Sequence, residues 1–177
     1  MLQWARARGC PWDATTCEGA AAGGQLATLQ WARAQGCPWD DRLCVVAAGG
    51  GHLHVLKWAR RHGCPFNGLA TTNEAASMGH LPVLEWVRAC EEREKGERRE
   101  EAVAANLPPP SPRASDLCAL TCSEAATGGH IAVLRWLRRH KVRWGTRTTE
   151  AAARHGHFHL LAWLRRQRCP WSVTACR

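Results

Sequence analysis

The sequence predicts an all-α protein, a helix-turn-helix repeat solenoid of about five copies with partial repeats at both ends. Three observations predict it. Trp4, Trp31, Trp58, Trp86, Trp136 and Trp163 are separated by 27, 27, 28, 50 and 27 residues. A second series, Trp12, Trp39, Trp144 and Trp171, trails the first by eight each time, and every tryptophan falls in one of the two series. The same register carries Gly24, Gly51, Gly79, Gly129 and Gly156, each followed by Gln25, His52, His80, His130 and His157. A period near 27 marks modules that bury their apolar faces only against their neighbours.

Within one copy, Thr15-Thr16-Cys17-Glu18-Gly19-Ala20-Ala21 signals a first helix: a threonine cap, then small residues that allow close packing. The second helix is signalled by Leu53-His54-Val55-Leu56-Lys57-Trp58-Ala59, with Leu53, Val55, Leu56 and Ala59 on one side and Gly63-Cys64-Pro65 as a stop. Both tryptophan series are expected in the core, because burying one indole removes roughly 150–250 Å² of surface from water. Phe66 fills the second series after Trp58, and Leu117 fills it after Trp86 once an insertion is removed.

That insertion, residues 91–113, separates repeats in 1–90 from repeats in 114–177. It reads as a solvated, mostly disordered loop ending in Leu107-Pro108-Pro109-Pro110-Ser111-Pro112. Its first half carries Glu91/Lys95 and Glu94/Arg98 at i,i+4, spacing that favours extension of the preceding helix until proline stops it. Met1 falls inside a second helix and Val173–Arg177 begins a first helix, the pattern expected of a piece of a longer array or of frayed end repeats.

The runs Ala75-Ala76-Ser77-Met78-Gly79-His80-Leu81-Pro82-Val83-Leu84 and Gly51-His52-Leu53-His54-Val55-Leu56 resemble the second half of the ankyrin repeat. Cys64-Pro65-Phe66-Asn67 stands where ankyrin has Ala-Asp-Val-Asn. Ankyrin repeats are about 33 residues long, so these copies resemble a short variant lacking the β-hairpin tip, with Gly-Cys-Pro-Trp turns. The ankyrin Thr-Pro-Leu-His start is absent. Cys17, Cys44 and Cys122 stand at its Leu, and Glu18, Val45, Asn73, Ser123 or Glu150 at its His.

A stack of this kind presents an extended surface of first helices and turns, so the expected function is a protein-interaction scaffold for an unidentified partner. The exposed, variable positions are the candidate contacts: Glu18, Asn73, Glu74, Ser123, Glu124, Arg147 and Glu150. A second expectation comes from charge. The chain has 24 Lys and Arg against 15 Asp and Glu, and the six Trp-bearing segments hold 15 of those cations with one acid, Glu85. Nucleic-acid or polyanion binding would then use Arg60, Arg61, Arg135, Arg138, Arg139, Arg165 and Arg166. The competing reading is a solvated outer face whose arginine stems cover tryptophan.

Other chemistry is not expected. The ten cysteines lack the close paired spacing of zinc modules and read as small buried thiols. His155, His157 and His159 do not frame a metalloprotease glutamate, and His157 belongs to the Gly-His register, where ankyrin-like repeats tie loop backbone between neighbours. No phosphate-cradling loop or nucleophile-base pair is present, so no enzyme, cofactor, metal or small-molecule substrate is expected. Apolar runs fall far short of the ~20 residues of a membrane span. Arg6 and Arg8 interrupt any export signal, which points to cytoplasm or nucleus.

Overall fold

A computed structural model describes residues 2–105 and 118–171. Among them are eleven α-helices and no strand. The chain divides into two compact units, Met1–Asn67 and Gly68–Arg177. Unit one holds α1 (Leu2–Ala7), α2 (Ala14–Ala22), α3 (Leu26–Ala34), α4 (Arg42–Gly49) and α5 (Leu53–Arg61). Unit two holds α6 (Gly68–Ser77), α7 (Leu81–Ala104), α8 (Ala119–Thr127), α9 (Ile131–Arg139), α10 (Thr146–Arg154) and α11 (Phe158–Arg166). The division therefore falls at a turn between copies, away from the insertion at 91–113.

First helices stack on first helices: α2 on α4 in unit one, and α6 on α8 on α10 in unit two. Their small residues make this possible. Ala20, Ala21, Ala47 and Ala48 are buried in unit one, and Ala75, Ala76, Ala125, Ala126, Ala151 and Ala152 in unit two. Each second helix lays an aliphatic stripe on its partner, such as Val55, Leu56 and Ala59 of α5 or Val133, Leu134 and Leu137 of α9. The cap of α2 is Asp13, two residues before the first of the expected threonines. Its carboxylate accepts from the Thr15 amide at 3.0 Å and from the Thr15 hydroxyl, and these bonds hold its pKa below the usual carboxylate value.

The tryptophans are not the core. Trp12, Trp31, Trp39, Trp58, Trp86, Trp136, Trp144 and Trp163 are half-buried, and Trp4 and Trp171 are 60% and 37% exposed. The fully buried large side chains are leucine and valine. The indoles join copies at the rim instead. The turn ring of one copy meets the second-helix ring of the next edge-on, Trp12 to Trp31, Trp39 to Trp58 and Trp144 to Trp163, each at 5.7 Å between centroids. Such a pair contributes about 0.5–1.5 kcal/mol beyond its buried area.

Copies are also tied by imidazoles, as the Gly-His register predicts. His52 donates from Nε2 to the Ala22 carbonyl at 2.9 Å and His157 to the Thr127 carbonyl at 2.8 Å, each 30 residues back. The receiving turn has to be glycine. A Cβ on Gly24 would stand 2.6 Å from the incoming His52 ring, and one on Gly129 2.8 Å from that of His157.

The charged half of the 91–113 segment is helical, the extension its i,i+4 spacing favours: α7 continues to Ala104. Ion pairs along it explain the extension, with Arg88–Glu92 at 3.4 Å, Lys95–Glu91 at 3.6 Å and Arg93–Glu97 at 3.8 Å. The proline run and Leu117 lie outside the described residues. No helix among the described residues is long and apolar enough to cross a membrane.

Candidate functional site

Stacking α10 on α8 leaves a groove of about 240 Å³ between them. Arg147, Glu150, Ala151 and Arg154 lie on one face of α10 at i, i+3, i+4 and i+7 and form one wall. Ser123, Glu124 and Thr127 of α8 form the other. Two carboxylates and two guanidiniums thus surround a mainly polar recess. It suits hydrogen-bonded capture of a charged side chain, with complementarity setting specificity.

The structure gathers four of the seven candidate contact residues, Ser123, Glu124, Arg147 and Glu150, in this groove. They are less open than expected. Ser123 is buried, its hydroxyl donating back to the Ala119 carbonyl at 3.3 Å, and only Arg147 of the seven is fully exposed. The other three are elsewhere. Asn73 accepts from the Thr121 hydroxyl at 2.8 Å and so ties α6 to α8. Half-buried Glu74 lies beside it on α6, and Glu18 of unit one faces Arg42 at 3.8 Å. Thr127, Ala151 and Arg154 were not singled out in the sequence. Helical spacing from Arg147 would have found Ala151 and Arg154.

The candidate anion-binding arginines divide by role. Arg138 lays its guanidinium 4.4 Å over Trp144 and donates to the Val142 carbonyl at 3.3 Å, which closes the turn after α9. Arg33 does the same over Trp39 at 4.0 Å and to the Cys37 carbonyl, and Arg60 covers Phe66 at 4.6 Å. Arg33, Arg60 and Arg138, each two residues after a first-series Trp, are therefore structural clamps, each cation–π contact contributing roughly 0.5–2 kcal/mol. Arg61, Arg135, Arg139, Arg165 and Arg166 are exposed. Arg60 and Arg61 belong to unit one and the other five to unit two.

Seven cysteines are buried, Cys118 is half-buried and Cys10 is exposed; none of the nine described cysteines is in a disulfide. Spacing by 27 hid their pairing. Cys17 lies beside Cys37 and Cys44 beside Cys64, each 20 residues on, close enough for the thiols to interact. Cys37 and Cys64 also donate to the carbonyls of Asp13 and Asp40, each at 3.3 Å. Burial, reinforced by Cys37, pushes Cys17 up to about 12, and burial does the same to Cys122. In the other pair Cys64 is raised, first by the neighbouring Cys44 thiol and then by burial; Cys44 is lowered by the Cys64 thiol.

No protein-family model matches the sequence, and no curated protein matches it. Among solved structures it is similar to the ankyrin repeat domain of human ASB11, at 17% identity and a TM-score of 0.53. The alignment covers 86% of this chain and 69% of that one. With paired helices stacked copy on copy and imidazoles joining the turns, the chain has an ankyrin-like, all-α helix-turn-helix repeat fold.

Proposed function

We propose that the chain is a protein-interaction scaffold with no chemistry of its own, and that the groove between α8 and α10 seats a charged side chain of an extended partner segment. The carrying observation is the convergence of Ser123, Glu124, Arg147 and Glu150 on one recess. The similarity of the fold to an ankyrin repeat domain supports a scaffold. Rigid helices hold these groups in place before the partner arrives, so little side-chain ordering is needed on binding.

A random peptide library displayed on phage and panned on the full chain tests this. Enriched peptides are expected to carry charged residues and to lose tenfold or more in affinity for the Glu124→Lys and Arg147→Glu variants, since each reversal removes a partner and adds a repulsion. Peptides that bind both variants as tightly as the parent chain would place the docking face elsewhere.

A further inference from the structure

We propose that the face of unit two formed by α9, α11 and the turns that follow them binds the phosphate backbone of a nucleic acid, and that Lys141 and Arg168 keep a strained backbone to serve it. This surface is separate from the α8–α10 groove, and the proposal stands independently of that reading.

Charge is concentrated here to an unusual degree. From Gly128 onward the chain has eleven basic residues and one acid, Glu150, whereas residues 68–127 have six basic residues against ten acids. The two stretches also differ in pairing. Arg88, Arg93 and Lys95 of α7 meet carboxylates on their own helix. Arg135, Arg139, Lys141, Arg143, Arg166 and Arg168 are all exposed, and none makes an ion pair among the described residues.

A favourable helix dipole accounts for basic residues in the last turns of α9 and α11. It does not account for the residues beyond them. Lys141 and Arg168 are the non-glycine residues with positive φ among those described, 60° and 56°. At the same register unit one has Gly36 and Gly63, which reach φ of 80° and 78° without a Cβ to strain. Arg143 likewise replaces Pro38 and Pro65. Three positions where a glycine or proline gives the easier turn have each become a cation, and strain of this kind is maintained where a site uses it.

The arrangement suits a linear polyanion. Arg139 and Arg166, and Lys141 and Arg168, recur 27 residues apart, so the cations form rows along the stacking direction, spaced by one repeat, roughly 8–10 Å for packed helices. α9 and its turn expose no large apolar side chain, whereas Phe158 at the start of α11 and Trp171 in the turn after it are 76% and 37% exposed, so lipid vesicles are the necessary control for this face.

Fluorescence anisotropy of the full chain with a labelled single-stranded RNA and a DNA duplex, each of about 20 nucleotides or base pairs, tests the proposal. With six phosphate contacts, affinity should fall between 50 and 200 mM salt by about a thousandfold on duplex and several hundredfold on single strand. Arg139→Glu with Arg166→Glu should weaken binding at least tenfold at low salt. Lys141→Gly with Arg168→Gly should raise Tm by relieving strain, yet reduce the salt slope by about two; that Tm separates lost contacts from lost folding. Absence of binding to both probes, unchanged affinity and slope in either variant, or preference for phosphatidylserine vesicles overturns the proposal.

Discussion

The turn after each second helix is built in two ways. In unit one, Gly36 and Gly63 carry the left-handed residue, followed by Cys-Pro and an aromatic ring. There Cys37 and Cys64 pair with Cys17 and Cys44. In unit two the left-handed residues are Lys141 and Arg168. Val142 stands at the first cysteine place; at the second, Cys169 donates to the Gly145 carbonyl at 3.8 Å while Thr149 donates to the Pro170 carbonyl at 3.1 Å. One backbone shape is thus carried by glycine in unit one and by residues with a Cβ in unit two, where the turn after α11 keeps Cys-Pro and the turn after α9 does not. What the turns share is the layer beneath, the aliphatic stripes; the arginine clamp joins the turns of unit one to the turn after α9.

Variants at matched registers put that reading at risk. Leu56 and Leu134 occupy the same register and are fully buried, so Leu→Ala at either should cost about 2–5 kcal/mol in denaturant unfolding. Unequal costs would show that the units do not share one core design. Alkali should weaken both units. Cys17 and Cys122, in the two units, hold their protons to about 12, well above the ordinary thiol value of 9.0. Their contribution is complete below pH 9 and is lost as pH rises toward 12, because the unfolded chain releases these protons first. A Tm constant between pH 9 and 12 contradicts this.

Smaller effects sharpen the contrast. Arg33→Ala and Arg138→Ala should each cost about 1–2 kcal/mol, from one cation–π contact and one carbonyl partner, while exposed Arg139→Ala should stay within about 0.5 kcal/mol. At the turns the sign should invert between units. Lys141→Gly and Arg168→Gly should each stabilise by about 1 kcal/mol, and Gly36→Lys should destabilise by about as much through φ alone, since a Cβ there meets nothing within 4 Å. Thr72 stands in the register of Cys17 and Cys44, and its buried hydroxyl has no hydrogen-bond partner. Thr72→Val should gain about 1 kcal/mol, read as a higher denaturation midpoint.

Part of the site was legible and part was not, for a physical reason in each case. Glu124, Arg147 and Glu150 could be placed on first helices because their register is periodic. That Asn73 ties α6 to α8 could not be read, because its partner Thr121 is 48 residues away across the insertion. The burial of Ser123 was equally hidden, since helical phase fixes which residues share a face but not how deeply the next helix covers it. The same limit explains the tryptophans. Their recurrence marks a constraint common to all copies, and the sequence alone could not distinguish burial in the core from edge-on contact at the rim. The cysteine pairs escaped because the contact joins unlike positions of adjacent copies.

By itself the sequence determined the period, the two helices per copy, the glycine turns and the concentration of positive charge after Gly128, because these follow from local pattern and composition. The stack decided which side chains became core, clamp or groove. Those assignments depend on what the neighbouring copy brings against each residue, and that neighbour lies 20 to 50 positions away, beyond the reach of any local preference.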